Sequence, residues 1–175
     1  ADPMMYLLGV LVMVVGIVLF VPFVAHSYRR WGRFSMLRAL GGAAALAYFW
    51  SIWTYTLLPL PEPDGLVCAP RNTTFGVFAD DIRAAIAGAS GRREILLDPA
   101  VLQAGLNVLL FVPLGFFLRF LGGRGIVVAG LAGFALSGFV EVTQLTGVWG
   151  LYPCAYRVFD VDDLLLNTSG ALLGS

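Results

Sequence analysis

The stretch FVEVTQLTGVWGLYPCAYRVFDVDDLLLNTSG, residues 139–170, sets Glu141, Gln144, Arg157, Asp160, Asp162, Asp163 and Asn167 at the borders of two hydrophobic runs. One run extends from Gly125 to about Gly147, and the other starts near Val161 and is cut short by the end of the chain. The whole chain has the same character: 175 residues, 59% hydrophobic and 13% charged, with 21 glycines and a mean hydropathy of +0.85. Such a composition lies outside the soluble range and inside that of polytopic membrane proteins. The expected fold is therefore all-α, a membrane helix bundle.

Working outward, residues 4–25 form an uncharged run long enough to cross a hydrocarbon core of roughly 30 Å at about 1.5 Å per residue. Its length and the lack of a basic flank argue against a signal peptide. A second span is expected from Arg38 to Pro59, with Trp50, Trp53 and Tyr55 near one end as an interfacial belt. A third runs from Ala100 to Leu121 with Pro113 inside it, where the missing N–H should kink the helix beside Asn107. With the two runs already described, five transmembrane helices are expected. Residues 4–175 read as a single membrane domain; Ala1-Asp2-Pro3 reads as a cloning scar, and the stop at Ser175 inside an apolar run as a trimmed C-terminus.

All eleven basic residues are arginine, balanced by eleven acids, which gives no basic patch and no reason to expect a nucleic-acid partner. The arginines are unevenly placed. Arg29, Arg30, Arg33 and Arg38 crowd the link between the first two spans, and Arg119 and Arg124 the link after the third, with no acid in either. Both links read as cytoplasmic by the positive-inside rule. The N-terminus and residues 60–99 and 148–160 then lie outside a bacterial cytoplasmic membrane. Cys68 and Cys154 fall in those outer segments, where disulfides persist, so a bond between them is expected, tying the long loop to the one before the last span. Two reduced thiols packed as small hydrophobes are the alternative. Within the long loop, DDIRAAIAG reads as a short amphipathic helix capped by Asp80 or Asp81 and ending at Gly88, lying along the membrane surface.

At about 100° per residue, Gly130, Gly133, Ser137, Glu141 and Gln144 form one stripe on the fourth span. Asp160, Asp163, Asn167, Gly170 and Gly174 form another on the fifth, while Asp162 projects to the opposite side and reads as interfacial. Small residues let backbones approach and lipid rejects the polar ones, so the two stripes should face each other. Glu141, Asn107 and Asn167 all come out roughly 10 Å below the outer surface. With Arg157 and the aspartates above them, they suggest a funnel open to the outside, since ionisable groups within spans usually mark a pathway or site.

Blander roles exist for each residue. Asp160 and Asp163 stand in N-cap and N3 relation and can simply cap a helix. Arg157 can form a structural bridge with Glu141 or Asp163, and Asn107 and Asn167 can merely bond helices together. His26, the only histidine, lies on the inner side, which excludes zinc sites and histidine triads from the funnel. A hard cation such as Mg²⁺ or Ca²⁺ would suit Glu141, Asp160 and Asp163, but no ligand spacing requires one, and no metal site is assigned. Glu141 has the chemistry of a general base, Asp163 that of an acid or ligand, and Arg157 that of a bidentate grip on phosphate or carboxylate.

The strings NVLLFVPLGFFL, Ser137 with EVTQ, and YRVFDVDDLLLNTSGALLG together resemble the signature of the VanZ-like family of integral membrane proteins. The likeness is close from Asn107 to Gly174 and looser earlier, through Thr54, Tyr55 and Pro59. The motif positions correspond to Asn107, Phe111, Pro113, Gly115, Glu141, Gln144, Arg157, Asp160, Asp163, Asn167 and Gly170, without departure. The resemblance implies a membrane location and a link to resistance against the glycopeptide antibiotic teicoplanin, though many relatives sit outside resistance clusters and no reaction is attached to the family.

Three functions stay open at this point. The first is an outward polar pocket that binds an anionic amphiphile: a lipid-linked cell-wall precursor, a polyprenyl phosphate, a phospholipid or the acyl-bearing antibiotic. Asn107, Glu141, Gln144, Arg157, Asp160, Asp163 and Asn167 would line it. The second is an enzyme acting on such a lipid, with Glu141 as base and Asp160 or Asp163 as metal ligand or acid. The third is a structural or assembly role. Neither the ligand nor the oligomeric state is legible.

Overall fold

The computed structural model describes residues 3–32, 35–58, 60–62 and 66–175. Arg33 of the basic link and Pro59 of the family pattern lie outside them. The chain divides into two compact units, Ala1–Pro59 and Leu60–Ser175.

The first unit is a helical hairpin. Helix α1, Pro3–Trp31, runs on beyond the expected end at residue 25, through Pro22, and closes with Arg29 and Arg30 in its last turn, where cations complement the carbonyl end of the helix. Gly32, at φ 65°, stops it by donating its N–H to the Tyr28 carbonyl at 2.8 Å. Helix α2, Met36–Leu57, starts at Ser35, whose hydroxyl accepts the Arg38 N–H. A methyl group at Gly42 would strike the rings of Phe23 and Phe20, so this glycine lets the two helices touch.

The second unit begins with strand β1, Arg71–Asn72, followed by α3, Val77–Gly88, and α4, Arg92–Leu97. Helix α5, Pro99–Gly122, has Asp98 as its cap, with the side chain accepting the Ala100 N–H at 2.9 Å, and Pro99 in the first turn, where no N–H is needed. Helix α5 passes through Pro113 and ends at Gly123, φ 61°, where Gly123 and Arg124 donate to the carbonyls of Arg119 and Leu118. Only Gly123, Arg124 and Gly125 separate it from α6, Ile126–Leu145, a link short enough to make the two helices antiparallel neighbours. A turn, α7 (Gly147–Gly150), and strand β2, Phe159–Asp160, lead into α8, Val161–Gly174.

Helix α8 packs against both α5 and α6. Methyl groups added at Gly170 and Gly174 would run into the backbone carbonyls of Val108 and Val112, and one at Gly115 into that of Ala171. On the other side a methyl at Gly133 would come within 2.6 Å of Ala171 Cβ, and one at Gly130 within 2.9 Å of Leu172 Cδ2. The small residues are thus contact surfaces, with one correction to the expected pairing: Gly130 and Gly133 of α6 do face α8, but Gly170 and Gly174 of α8 face the backbone of α5, not the α6 stripe.

The large apolar residues go the other way. Leu106, Leu109 and Phe116 of α5, Val127, Leu131 and Phe134 of α6, and Leu165 and Leu173 of α8 are all exposed, whereas Ser137, Glu141, Gln144 and Asn167 are buried. A water-soluble domain would reverse this distribution; lipid favours it. Helices α5 and α6 are each long and apolar enough to cross a membrane.

The described residues are mostly helical, as expected, with one short β pairing besides. Strands β1 and β2 pair in parallel, Arg71 beside Phe159 and Asn72 beside Asp160. Cys68 and Cys154 are disulfide-bonded, with Cα atoms 5.6 Å apart, and Ala69 donates its N–H to the Ala155 carbonyl at 2.8 Å. Bridge and backbone pairing together fasten the long loop to the entrance of α8.

Candidate functional site

The three aspartates of the DVDD stretch each do something different. Asp160 is the N-cap of α8: its Oδ1 accepts the Asp162 N–H at 2.9 Å, and its Oδ2 accepts a hydrogen bond from Asn72 Nδ2 at 3.1 Å. The N-cap role that the sequence allows for Asp160 is thus observed, with the amide of Asp162 as its partner. Asp162 is 1% exposed, which corrects its reading as interfacial. Its carboxylate accepts the backbone N–H groups of Gly76 at 2.8 Å and Phe78 at 3.0 Å.

The start of α3 is corrected by the same contact. The helix begins at Val77 after Gly76, whose φ is 89° and which has no side chain to cap with. Asp162 supplies the missing acceptor from a distant part of the chain. Asp80, expected as a possible cap, lies inside the first turn and pairs with Arg83 on the surface; Asp81 is exposed on the same helix. The end of α3 at Gly88 is as the sequence predicts.

Asp163 turns inward, and its Oδ1 accepts a hydrogen bond from Asn107 Nδ2 of α5. One helical turn deeper, Asn167 donates through Nδ2 to Ser137 Oγ of α6 at 2.9 Å. Ser137 itself reaches the Asp163 carbonyl at 3.5 Å. Glu141, one turn along α6 from Ser137 and 3% exposed, accepts the Asp160 N–H on Oε2 at 3.1 Å. It also lies within electrostatic reach of both Asp163 and Asp160. Asn107, Ser137, Glu141, Asp160, Asp163 and Asn167 therefore form one connected polar layer shared by α5, α6 and α8.

Gln144 is buried on α6, one turn beyond Glu141. Arg157 is half-buried in the segment that leads into β2, and its charge acts on the neighbouring Tyr156 phenol. Burial pushes that phenol above its ordinary 10.0; Arg157 opposes the shift and Tyr152 adds to it. Among the described residues, no group of three or more histidine, cysteine, aspartate or glutamate side chains is placed to hold a metal ion.

One atom in the layer is left over. Asn167 Oδ1 is buried and has no hydrogen-bond partner. The layer as a whole is rich in acceptors: the Asp163 carboxylate takes the Asn107 amide, the Asp163 carbonyl the Ser137 hydroxyl and the Glu141 carboxylate the Asp160 N–H. The layer can accept hydrogen bonds from hydroxyl, amide or ammonium groups better than it can donate them.

Sequence reasoning missed one feature nearby. Gly147, Val148, Trp149 and Gly150 have φ of 60°, 56°, 58° and 92°, a single left-handed turn at the end of α6. A β-branched residue in that region is costly, by about 1–2 kcal/mol. The turn is held by Thr146 Oγ1, which accepts the Trp149 N–H at 3.0 Å, and by the indole N–H, which donates to Thr143 Oγ1 at 3.1 Å. Gly147 must be glycine, since a Cβ there would lie within 2.6 Å of the Cys154 and Tyr152 carbonyl oxygens. The flanking glycines were the only signal. A separate cavity of about 540 Å³ between α3, α4 and the start of α5 is lined by Asp81, Glu94 and Asp98 among others, and by no residue of the polar layer.

Neither the curated proteins nor the solved structures give a match to this chain. A family model, VanZ/LLP1, matches residues 45–175, which include α5, α6, α8 and every residue of the polar layer. That match covers well over half of the sequence, and the chain belongs to the VanZ/LLP1 family.

Proposed function

We propose that this membrane protein binds the head group of an anionic amphiphile in the polar layer shared by α5, α6 and α8. The observation that carries this reading is the buried, unpartnered Asn167 Oδ1 in a polar layer that also holds the Glu141 and Asp163 carboxylates, within helices whose outward faces are apolar. An unsatisfied acceptor at that depth costs free energy, and ionisable groups among apolar helices usually serve a site. Asn107, Glu141, Gln144, Asp160, Asp163 and Asn167 contact hydroxyl or amino groups of the head; Arg157 holds its phosphate or carboxylate by a bidentate pair. A lipid-linked cell-wall precursor, a phospholipid and a lipoglycopeptide antibiotic such as teicoplanin all have this chemistry. Recognition of either the precursor or the antibiotic at the outer face of a bacterial cytoplasmic membrane would contribute to glycopeptide resistance.

The test is binding of a lipid-linked precursor, of a polyprenyl phosphate and of teicoplanin to the protein in nanodiscs. Arg157→Ala is expected to lose binding while eluting as folded protein. Unchanged binding of all three overturns the role of Arg157, and no binding to the unmodified protein overturns the reading.

A structural role is the second reading, favoured by the mutual pairing of Asn107 with Asp163 and of Glu141 with the Asp160 amide. Under it, Glu141→Gln lowers the melting temperature and leaves any resistance phenotype intact at matched expression. An enzymatic role for the same site, with Glu141 as base, predicts product from undecaprenyl-linked substrates with Mg²⁺, abolished by Glu141→Gln.

A further inference from the structure

Helix α4 has two faces of unlike character. At about 100° per residue, Arg92, Arg93, Leu96 and Leu97 share one arc, while Glu94 and Ile95 occupy the other. All four residues of the first arc are exposed, Leu96 at 65% and Leu97 at 58%. Glu94 is used within the segment, accepting the Ser90 N–H at 2.7 Å. Among the described residues, neither Arg92 nor Arg93 makes an ion pair or a hydrogen bond through its side chain. The arginines stand in the first turn and the leucines in the second, next to the start of α5. On α5 itself Leu102, Leu106 and Leu109 form an exposed apolar row at helical spacing.

We propose that α4 is an interfacial anchor: Leu96 and Leu97 enter the acyl boundary of the bilayer, and Arg92 and Arg93 bind phospholipid phosphates just above it. The occupant is the surrounding bilayer. The exposed leucines sit two and three residues before a helix long enough to cross a membrane, which keeps them within a few ångströms of the point where that helix starts. Free guanidiniums one turn farther from the span are at headgroup height, where they serve as phosphate ligands and their stems cover apolar surface. The opposite side of α4 helps line the cavity containing Asp81, Glu94 and Asp98, and it keeps its acid away from the lipid. Anchored in this way, α4 fixes the depth at which α5 enters and hence the depth of Asn107.

The inference rests on α5 crossing the bilayer, which a separate probe can test. Single cysteines at Leu97, Arg83 and Leu109 in the otherwise unchanged protein, with the Cys68–Cys154 bond intact, carry a nitroxide in nanodiscs of phosphatidylcholine with or without phosphatidylglycerol. All three positions are exposed, so labelling leaves the packing alone. At Leu97→Cys the label should be open to oxygen and protected from a water-soluble nickel chelate, and at Arg83→Cys the reverse. At Leu109→Cys it should be as protected as a bilayer centre; loss of protection there overturns the crossing of α5. Equal nickel access at Leu97→Cys and Arg83→Cys, with Leu109→Cys protected, overturns the anchor alone. Arg92→Gln with Arg93→Gln should weaken docking of α4 roughly thirtyfold in phosphatidylglycerol nanodiscs, at about one kcal/mol per arginine. The effect should shrink in high salt. No change in the nickel access of Leu97→Cys in the double variant overturns the role of the arginines.

Discussion

The Asp162 carboxylate grips the backbone N–H of Phe78 at 3.0 Å, across 84 residues of chain, and so caps α3 from the first turn of α8. The same carboxylate takes the Gly76 N–H at 2.8 Å. Two charge-assisted hydrogen bonds to a helix that has no cap of its own are together worth about 2–4 kcal/mol of local stability. Asp162→Ala is therefore expected to release α3 while leaving α5, α6 and α8 packed. Hydrogen exchange checks it: the amides of Val77 to Asp80 should lose protection by about 30-fold or more, and those of α6 should not change. Asp162→Asn, which keeps an acceptor oxygen, should fall between.

Helix α8 tolerates no added methyl where it crosses α5. A Cβ at Gly170 meets the Val108 carbonyl oxygen, and one at Gly174 meets that of Val112, so relief requires the two backbones to separate. Gly170→Ala is expected to destabilise the protein by about 3 kcal/mol or more. Gly138→Ala is the matched control. Its Cβ would find only Leu164 Cδ2 at 3.7 Å, an ordinary contact, so it should be neutral or stabilising by up to about 1 kcal/mol through helix propensity. Thermal scans in detergent, read by elution profile, distinguish the two variants.

The Cys68–Cys154 bridge closes a stretch of chain 86 residues long. Its loss should cost about 2–5 kcal/mol by constraining the unfolded chain less. Paired replacement by serine should lower the melting temperature and make the Asp162 contact with α3 more labile. Backbone pairing of Ala69 with Ala155 remains, so the loop should loosen without wholesale unfolding. Reductant should reproduce the shift in the unmodified protein and have no effect on the double serine variant.

How much of this was legible in the sequence depended on whether the physics was local. The stripes of Gly133, Ser137 and Glu141 and of Asp163, Asn167 and Gly170 could be read from helical periodicity, because lipid penalises polar faces and backbone contact demands small ones. The start of α8 at Val161 and the end of α3 at Gly88 follow from capping chemistry within a few residues. The role of Asp162 could not be read, since a helical wheel shows that it points away from its neighbours but not that a loop returns to meet it. The left-handed turn at Val148 and Trp149 runs against residue preference, and only the packing of Gly147 against the Cys154 and Tyr152 carbonyls explains its place in the fold. The two-residue pairing of Arg71 with Phe159 was equally hidden, being too short to leave a periodic signal.

Asn167 separates the binding reading from the structural one. It donates to Ser137 Oγ at 2.9 Å, and its Oδ1 has no partner. Replacing both residues by apolar ones of similar shape, Ser137→Ala with Asn167→Leu, removes the pair and the orphaned acceptor together. Such exchanges are close to neutral, within about 1 kcal/mol, because no polar atom is left stranded. Asp163 keeps its bond from Asn107, and Glu141 keeps the Asp160 amide. If the layer exists to recognise a head group, the double variant should melt within a few degrees of the unmodified protein while binding of precursor or teicoplanin in nanodiscs weakens by roughly tenfold, the effect of one lost buried hydrogen bond. If the layer only holds helices together, binding should be insensitive and any loss should appear in the melting temperature alone. Isothermal titration and a thermal scan on the same preparation decide between the two.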